Sequence, residues 1–233
     1  MRKQTKLVAV LSTAALLAIG ASMTSFAATG WAEEDGTWVY YNRDGERATD
    51  QWKKSGNNWY WLDSNGEMAI DQLIEDGDNY YYVDINGVMA ANQWVAIDNE
   101  DAGEDNEPDH YWYYFQANGK ALKNGDNSKV ALKTVNGKKY AFDEEGKMLY
   151  GWVSSDNAER VDDTDGDGFK EGDYYFGGED DGAMTVGWLQ MDITYDEATN
   201  DYEIATVFND NEDQTRWFYF KANSKKVKAE NGD

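Results

Sequence analysis

The ten residues Trp-Tyr-Trp-Leu-Asp-Ser-Asn-Gly-Glu-Met, at positions 59–68, hold the pattern that decides the fold. A short aromatic and aliphatic run leads into a polar segment containing Asn65-Gly66, a residue pair that favours a tight hairpin turn. A second turn signal, Ser55-Gly56, stands just before the run. Because turn signals about ten residues apart leave no room for a helix, the stretch predicts two short strands joined by turns.

Equivalent stretches recur along the chain. Gly45, Gly66 and Gly87 each follow an aromatic run and lie 21 residues apart, and further runs begin at residues 112, 140, 174 and 217. A repeat this short cannot bury a core alone and must stack on its neighbours. We therefore predict an all-β solenoid of stacked β-hairpin repeats, with insertions at the hairpin tips of the later repeats. The seven predicted repeats span residues 30–50, 51–71, 72–92, 93–124, 125–150, 151–186 and 187–233.

Strand geometry predicts which side chains of one repeat share a face. A two-residue turn at Ser55-Gly56 places Trp52 opposite Trp59, and Trp61 points the same way because alternate strand residues share a face. Tyr60 points to the other face, where bulky aromatic rings are expected to pack the interior.

The second turn of the same repeat extends this prediction to a methionine. A type I′ turn, with positive φ at both Asn65 and Gly66, would place Met68 opposite Asp63. The methionine would then lie on the tryptophan face.

The beginning of the chain predicts a targeting signal rather than part of the fold. Three basic residues precede the apolar run 7–19, which is too short to span a bilayer, and the small residues of Ser25-Phe26-Ala27 follow. We predict a signal peptide at residues 1–27 and a repeat domain at 28–233. No second apolar stretch follows, so we expect a secreted protein with no membrane span after cleavage.

Composition excludes several functional classes. The chain has 45 acidic and 21 basic residues, no cysteine and one histidine, His110. This excludes disulfide scaffolds and thiolate zinc sites, and a net charge of −24 disfavours nucleic acid as a partner. His110 lies in an acidic loop and is expected to be solvated, and no nucleophile motif accompanies it. We predict no catalytic residues and no enzyme activity.

The repeats resemble a known family. Gly30-Trp31 with another tryptophan seven residues later, and the stretch from Trp59 to Met68, are similar to cell-wall-binding repeats of the choline-binding and glucan-binding types. The resemblance implies a non-catalytic hairpin solenoid that retains secreted proteins at the cell wall or cell surface. Family members box a quaternary ammonium between aromatic side chains or grip glucan chains. The implied partner is a wall polymer: choline-bearing teichoic acid, glucan or another wall glycan.

The resemblance also implies which residues bind. A full site takes the early tryptophan and the first aromatic residue of one hairpin, the third aromatic residue of the next hairpin, and a nearby methionine. Leu73, Ala141 and Asp173 break this pattern in later repeats, so we expect a degenerate second half. The alternative is that the same aromatic side chains only pack the solenoid. The two predicted sites are Trp31, Trp38, Trp61 and Met68, and Trp52, Trp59, Tyr82 and Met89.

One insertion suggests a metal loop. Asp163, Asp165 and Asp167 alternate before a glycine, as in the first half of an EF-hand-type calcium loop, and Phe169 could offer a backbone oxygen. The twelfth position is not glutamate, so Glu171 or Asp173 would have to complete the set. The alternative is a plain acidic turn. No cofactor is required by the sequence, and calcium at 163–173 is the one candidate.

The acidic insertions leave a second function open. Residues 98–109 carry seven carboxylates and are expected to form a solvated loop. Such loops, with or without calcium, could engage a protein partner while the repeats act as a structural or adhesin-like surface scaffold.

Overall fold

The computed structural model describes residues 29–104, 107–125, 129–161, 168–193 and 214–228. The predicted signal peptide at residues 1–27 lies outside these ranges. Within them, successive strands pair as seven two-stranded sheets, and one helical turn, α1 (Gly168–Glu171), is present. The sheets are β1 (Gly30–Glu34) with β2 (Thr37–Tyr41), β3 (Gln51–Ser55) with β4 (Asn58–Leu62), β5 (Gln72–Asp76) with β6 (Asn79–Val83), β7 (Gln93–Asp98) with β8 (His110–Phe115), β9 (Lys133–Val135) with β10 (Lys138–Tyr140), β11 (Trp152–Val153) with β12 (Tyr174–Tyr175), and β13 (Gly187–Ile193) with β14 (Gln214–Phe220).

This architecture confirms the prediction of an all-β fold made of repeated hairpins. The described residues divide into two compact units, one formed by those up to Ile74 with Tyr82–Met89, and the other by Glu75–Tyr81 with those from Ala90 onward. The sequence did not predict this division, and the exact repeat bounds stay a prediction. None of the helical residues in the described ranges forms a segment long and apolar enough to cross a membrane.

The register predicted for the second hairpin is wrong by one residue at the turn. The turn is centred on Gly56 and Asn57, so Trp52 lies opposite Trp61 rather than Trp59. Gly56 has a φ of +59°, as the first corner of a mirror-image hairpin turn requires. Because the shift moves the pairing by two residues, Trp52, Trp59 and Trp61 still share a face.

The second turn of the repeat also differs from the prediction. Gly66 has a φ of +77°, whereas Asn65 is not among the residues with positive φ. The amide of Gly66 donates to the carbonyl of Asp63 at 2.9 Å, the pattern of a type I turn followed by a glycine bulge rather than a type I′ turn. Met68 consequently pairs with Leu62, not with Asp63.

A carboxylate stabilises several of these turns. Oδ1 of Asp63 accepts the backbone amides of Asn65 and Glu67 at 2.9 and 2.8 Å. Asp84 and Asp143, one and three repeats further along the chain, make equivalent pairs of hydrogen bonds. At Asp143, burial raises the pKa to about 6, against the opposing hydrogen bond from the Lys147 amide.

The turn glycine also allows close approach to the preceding repeat. A Cβ at Gly87, whose φ is +74°, would lie 2.9 Å from Cε of Met68 and 3.0 Å from the carbonyl oxygen of Ala69. The last repeat has Ser224 instead, with a φ of +64° and a fully buried side chain. Oγ of Ser224 has no hydrogen-bond partner within the described part of the chain.

One strand position is buried in successive hairpins. Leu62, which lies three positions after Trp59 in the second hairpin, is almost completely buried. Its counterparts in the later hairpins are buried in the same way. Tyr60 is also buried, as predicted for the face opposite the tryptophans. The buried residues at this position are Leu62, Val83, Phe115, Phe142, Phe176 and Phe220.

Candidate functional site

Neighbouring hairpins are joined by backbone hydrogen bonds from the segment after each glycine turn. The amide of Met68 donates to the carbonyl of Trp38 in the preceding hairpin at 2.8 Å, and the next amide, of Ala69, donates to Trp61 in its own hairpin at 2.9 Å. The two tryptophan backbones therefore lie on either side of the methionine. We call this arrangement the first junction and define it by Trp38, Trp61 and Met68.

The rings of the first junction are not equally available. Trp38 is half-buried, whereas Trp61 is nearly buried and packs edge-on against Trp52 with 5.3 Å between ring centroids. The backbone thus brings together three of the four residues predicted for the first site.

The fourth residue, Trp31, has a packing role. Its ring packs edge-on between Tyr40, at 5.4 Å, and Tyr60, at 5.3 Å. Its Nε1 is buried and has no hydrogen-bond partner among the described residues. This is the interior role that the sequence assigned to the opposite face, and binding by Trp31 stays a prediction.

The second junction repeats the arrangement one hairpin along. The amide of Met89 donates to the carbonyl of Trp59 at 2.9 Å, and Met89 also pairs with Val83, the residue after Tyr82. Trp59 is 40% exposed, with the ammonium of Lys54 at 5.8 Å from its ring centroid. The hydroxyl of Tyr82 donates to the carboxylate of Asp71. The backbone thus brings Met89 to Trp59 and places Tyr82 next to the residue that pairs with Met89, and the indole of Trp59 is partly exposed.

Later junctions keep the backbone pattern but change the side chains. The same amide-to-carbonyl bonds, from 2.7 to 2.9 Å, identify the equivalent residues of four more junctions. The predicted losses of an aromatic residue at Ala141 and Asp173 fall at these positions. The residues are Tyr80, Tyr114 and Ala121; Trp112, Ala141 and Met148; Lys139, Tyr175 and Met184; and Asp173, Tyr219 and Lys226.

The fourth junction, defined by Trp112, Ala141 and Met148, contains a polar cluster that the sequence did not predict. Oδ1 of Asp180 accepts a hydrogen bond from Nε1 of Trp112 at 3.0 Å and lies 3.1 Å from Nε2 of His110. These contacts lower the pKa of Asp180, with the indole N–H as the larger cause. His110 is therefore not simply solvated, as expected, but half-buried with its ring edge-on to Trp112. No nucleophile is part of this cluster.

The last of these junctions, which we call the sixth junction, holds a lysine where all the earlier ones except the third hold methionine. Nζ of Lys226 lies 4.9 Å from the ring centroid of Trp152 and 5.9 Å from that of Phe218, and it donates to the carbonyl of Phe169. Burial lowers the pKa of Lys226 to about 8, which leaves the ammonium charged at neutral pH.

The residues predicted for calcium are only partly described. Asp163, Asp165 and Asp167 lie outside the described residues, and Phe169 and Glu171 belong to the helical turn α1. The carbonyl of Phe169 already accepts a hydrogen bond from Lys226.

Asp173, the last residue of the predicted set, has partners of its own. Its carboxylate accepts the amide of Ser155 at 3.0 Å and pairs with Lys228 at 3.0 Å. Burial raises its pKa, but these contacts outweigh burial and hold it at about 2. Within the described ranges, no three acidic or imidazole side chains converge to hold a metal. Calcium binding stays a prediction.

Comparison with known proteins finds a family match for the first part of the chain. The choline-binding repeat model matches residues 28–72 and 51–94. No curated protein matches the chain.

Solved structures match over most of the chain. Choline binding protein F from Streptococcus pneumoniae, in crystal form II, has a TM-score of 0.51 and 23% identity, over 88% of this chain and 54% of that chain. The same protein in the presence of a tetrasaccharide-pentapeptide peptidoglycan analogue gives 0.50 and 23%, over 86% and 52%. The modular autolysin LytC of that organism gives 0.50 and 19%, over 86% and 33%. These likenesses show the fold, and the chain spans about a third to a half of the length of these structures.

Proposed function

We propose, from the match of residues 28–94 to the choline-binding repeat model, that the chain is a secreted, non-catalytic protein that holds choline-bearing polymers of the cell wall. The second junction carries the proposal, because it combines an exposed indole with a neighbouring aromatic side chain and a methionine. The N-terminal basic and apolar segment supports export, and retention at the wall would follow from binding.

The chemistry of the junction suits a quaternary ammonium. Such a cation is too weakly hydrated and too poor in hydrogen-bond donors to be held by carboxylates alone, whereas aromatic faces attract it by about 0.5–2 kcal/mol per contact. Trp59 offers a partly exposed ring, the backbone brings Met89 beside it, and Tyr82 precedes Val83, the residue that pairs with Met89. Methionine adds a polarizable thioether that fits an irregular gap.

The charge of the chain sharpens the choice of ligand. A net charge of −24 attracts small cations and repels polyanionic polymers. A phosphate-rich wall polymer would therefore be held by its positively charged choline groups rather than by its backbone. Wall glycans could stack on the same indole without a charge, and they are the competing outcome of the test. The relative crystallised in the presence of a peptidoglycan analogue supports including such glycans as probes.

Choline chloride and glucan oligosaccharides should be titrated separately into the full chain, with tryptophan fluorescence and calorimetry as readouts. We expect saturable choline binding, and a loss of about 5–30-fold in affinity at one site in Trp59→Ala, equivalent to one strong cation–π contact. The matched control is Trp188→Ala, which removes another indole that is 68% exposed but lies outside the first two junctions. No response to choline in the wild type, or equal losses in both variants, would contradict the proposal. If the protein binds glucan but not choline, the proposed ligand is wrong and a wall glycan takes its place.

A further inference from the structure

The sixth junction differs from the first two at two positions at once. Asp173 stands where the first junction has Trp38, and Lys226 stands where it has Met68, as the shared backbone hydrogen bonds show. Trp152 is the early tryptophan of the same hairpin and lies directly opposite Tyr175 in its strand pair. An aromatic wall has thus become an anion, and the neighbouring thioether has become a cation.

The lysine side chain is turned inward rather than into solvent. Its Nζ lies 4.9 Å from the ring centroid of Trp152 and 5.9 Å from that of Phe218, within the range of cation–π attraction. The two rings meet edge-on at 5.1 Å, so the ammonium contacts both walls of one aromatic corner.

The ammonium also donates one hydrogen bond to the backbone. Nζ of Lys226 donates to the carbonyl of Phe169 in α1, a bond that a quaternary ammonium, having no N–H, could not make. Trp152 is only 3% exposed, which leaves little of its ring uncovered for a second cation. The lysine therefore holds the corner against free ligands by contacts that they cannot reproduce.

We propose that Lys226 is an internal ligand that closes the sixth junction to choline-type cations, so that the residue at the methionine position decides which junctions can bind. The inference rests on the proposed function for what the open junctions take. A tethered cation competes at an effective concentration in the millimolar range or above, which a free ligand of similar contact energy does not overcome.

The test compares four full-length proteins by calorimetric titration with choline chloride: wild type, Lys226→Met, Lys226→Arg and Lys221→Met. We expect Lys226→Met to bind one more choline than the wild type. The added site should be about 2–30-fold weaker than the first junctions because Asp173 replaces one aromatic wall. Lys226→Arg retains a cation and should match the wild type. Lys221→Met removes an exposed charge from the turn of the same hairpin and should also match it.

The outcomes separate the two proposals. A wild type that binds choline together with a Lys226→Met variant that gains no site overturns the inference and leaves the proposed function standing. A wild type that does not bind together with a variant that does supports the inference and removes the proposed function. Binding by neither protein overturns both.

A second variant covers the case in which Lys226→Met does not fold. Met68→Lys transfers the lysine to the first junction, where the amide of residue 68 donates to the carbonyl of Trp38. We expect the loss of one choline site relative to the wild type, with the far-UV circular dichroism unchanged. Unchanged stoichiometry in a folded Met68→Lys protein that binds choline would overturn the inference.

Discussion

Replacing Gly87 with alanine should destabilise the fold more than the same change at Gly77, although both glycines have positive φ. The φ angles are +74° and +59°, and a left-handed conformation costs a non-glycine residue about 1–2 kcal/mol. At Gly77 nothing lies within 4 Å of the added Cβ, so this backbone cost is the whole effect. At Gly87 the methyl group would lie 3.0 Å from the Ala69 carbonyl and 2.9 Å from Cε of Met68, which adds about 1–2 kcal/mol of overpacking.

Urea denaturation followed by tryptophan fluorescence measures both variants. We expect free energies of unfolding lowered by about 1–2 kcal/mol in Gly77→Ala and about 2–4 kcal/mol in Gly87→Ala, with unchanged m-values. Adding Met68→Ala should reduce the cost of Gly87→Ala, because the flexible thioether end is then absent, but should not abolish it, because the Ala69 carbonyl remains. Equal losses in the two single variants would refute the argument that the turn glycine is needed for close approach.

Two further predictions concern single buried groups. Ser224→Gly should raise the free energy of unfolding by about 1 kcal/mol in urea titrations, because it relieves a φ of +64° and removes a buried hydroxyl that has no partner among the described residues; a destabilised variant would show that the hydroxyl is needed. Asp143 has its pKa raised to about 6 by burial, against an unfolded value near 3.8, so the folded state takes up the proton first. The wild type should therefore gain about 1–3 kcal/mol relative to Asp143→Asn as the pH falls from about 7 to 4. A difference between the two proteins that does not change with pH would contradict this sign.

The sequence predicts the hairpins well because their signals are local. Aromatic runs, turn pairs and the 21-residue glycine spacing each involve neighbouring residues, and the all-β architecture follows from them. The details of the turns do not follow. Asn-Gly favours type I′ in isolation, but the carboxylate of Asp63 stabilises a type I turn by accepting two amides of the loop.

A similar limit applies to left-handed residues at the ends of the first three predicted repeats. Asp50, Asp71 and Asn92 all have positive φ and are 21 residues apart. Aspartate and asparagine tolerate this conformation better than most residues, so the periodic occurrence of these types was the available signal.

The candidate site is predictable only in part. The resemblance to a family supplies the set of residues, and the backbone brings together Trp38, Trp61 and Met68. The sequence does not predict that Trp31 packs against Tyr60, because both faces of a hairpin are aromatic. Strand pairing alone does not show which aromatic side chains line a binding site and which fill the interior. Nor does the sequence predict the role of Lys226, whose backbone partner Phe169 is 57 residues away.

The paired amides after each turn give the chain a useful independence. Because peptide groups and not indoles keep adjoining hairpins in register, an exchange of side chains at one place leaves the scaffold around it intact. Tryptophan, tyrosine, lysine and aspartate all occur at the position of Trp38, and methionine, alanine and lysine at the position of Met68. Side chains at the junctions can thus be exchanged one at a time during evolution, while the backbone scaffold that presents them is kept.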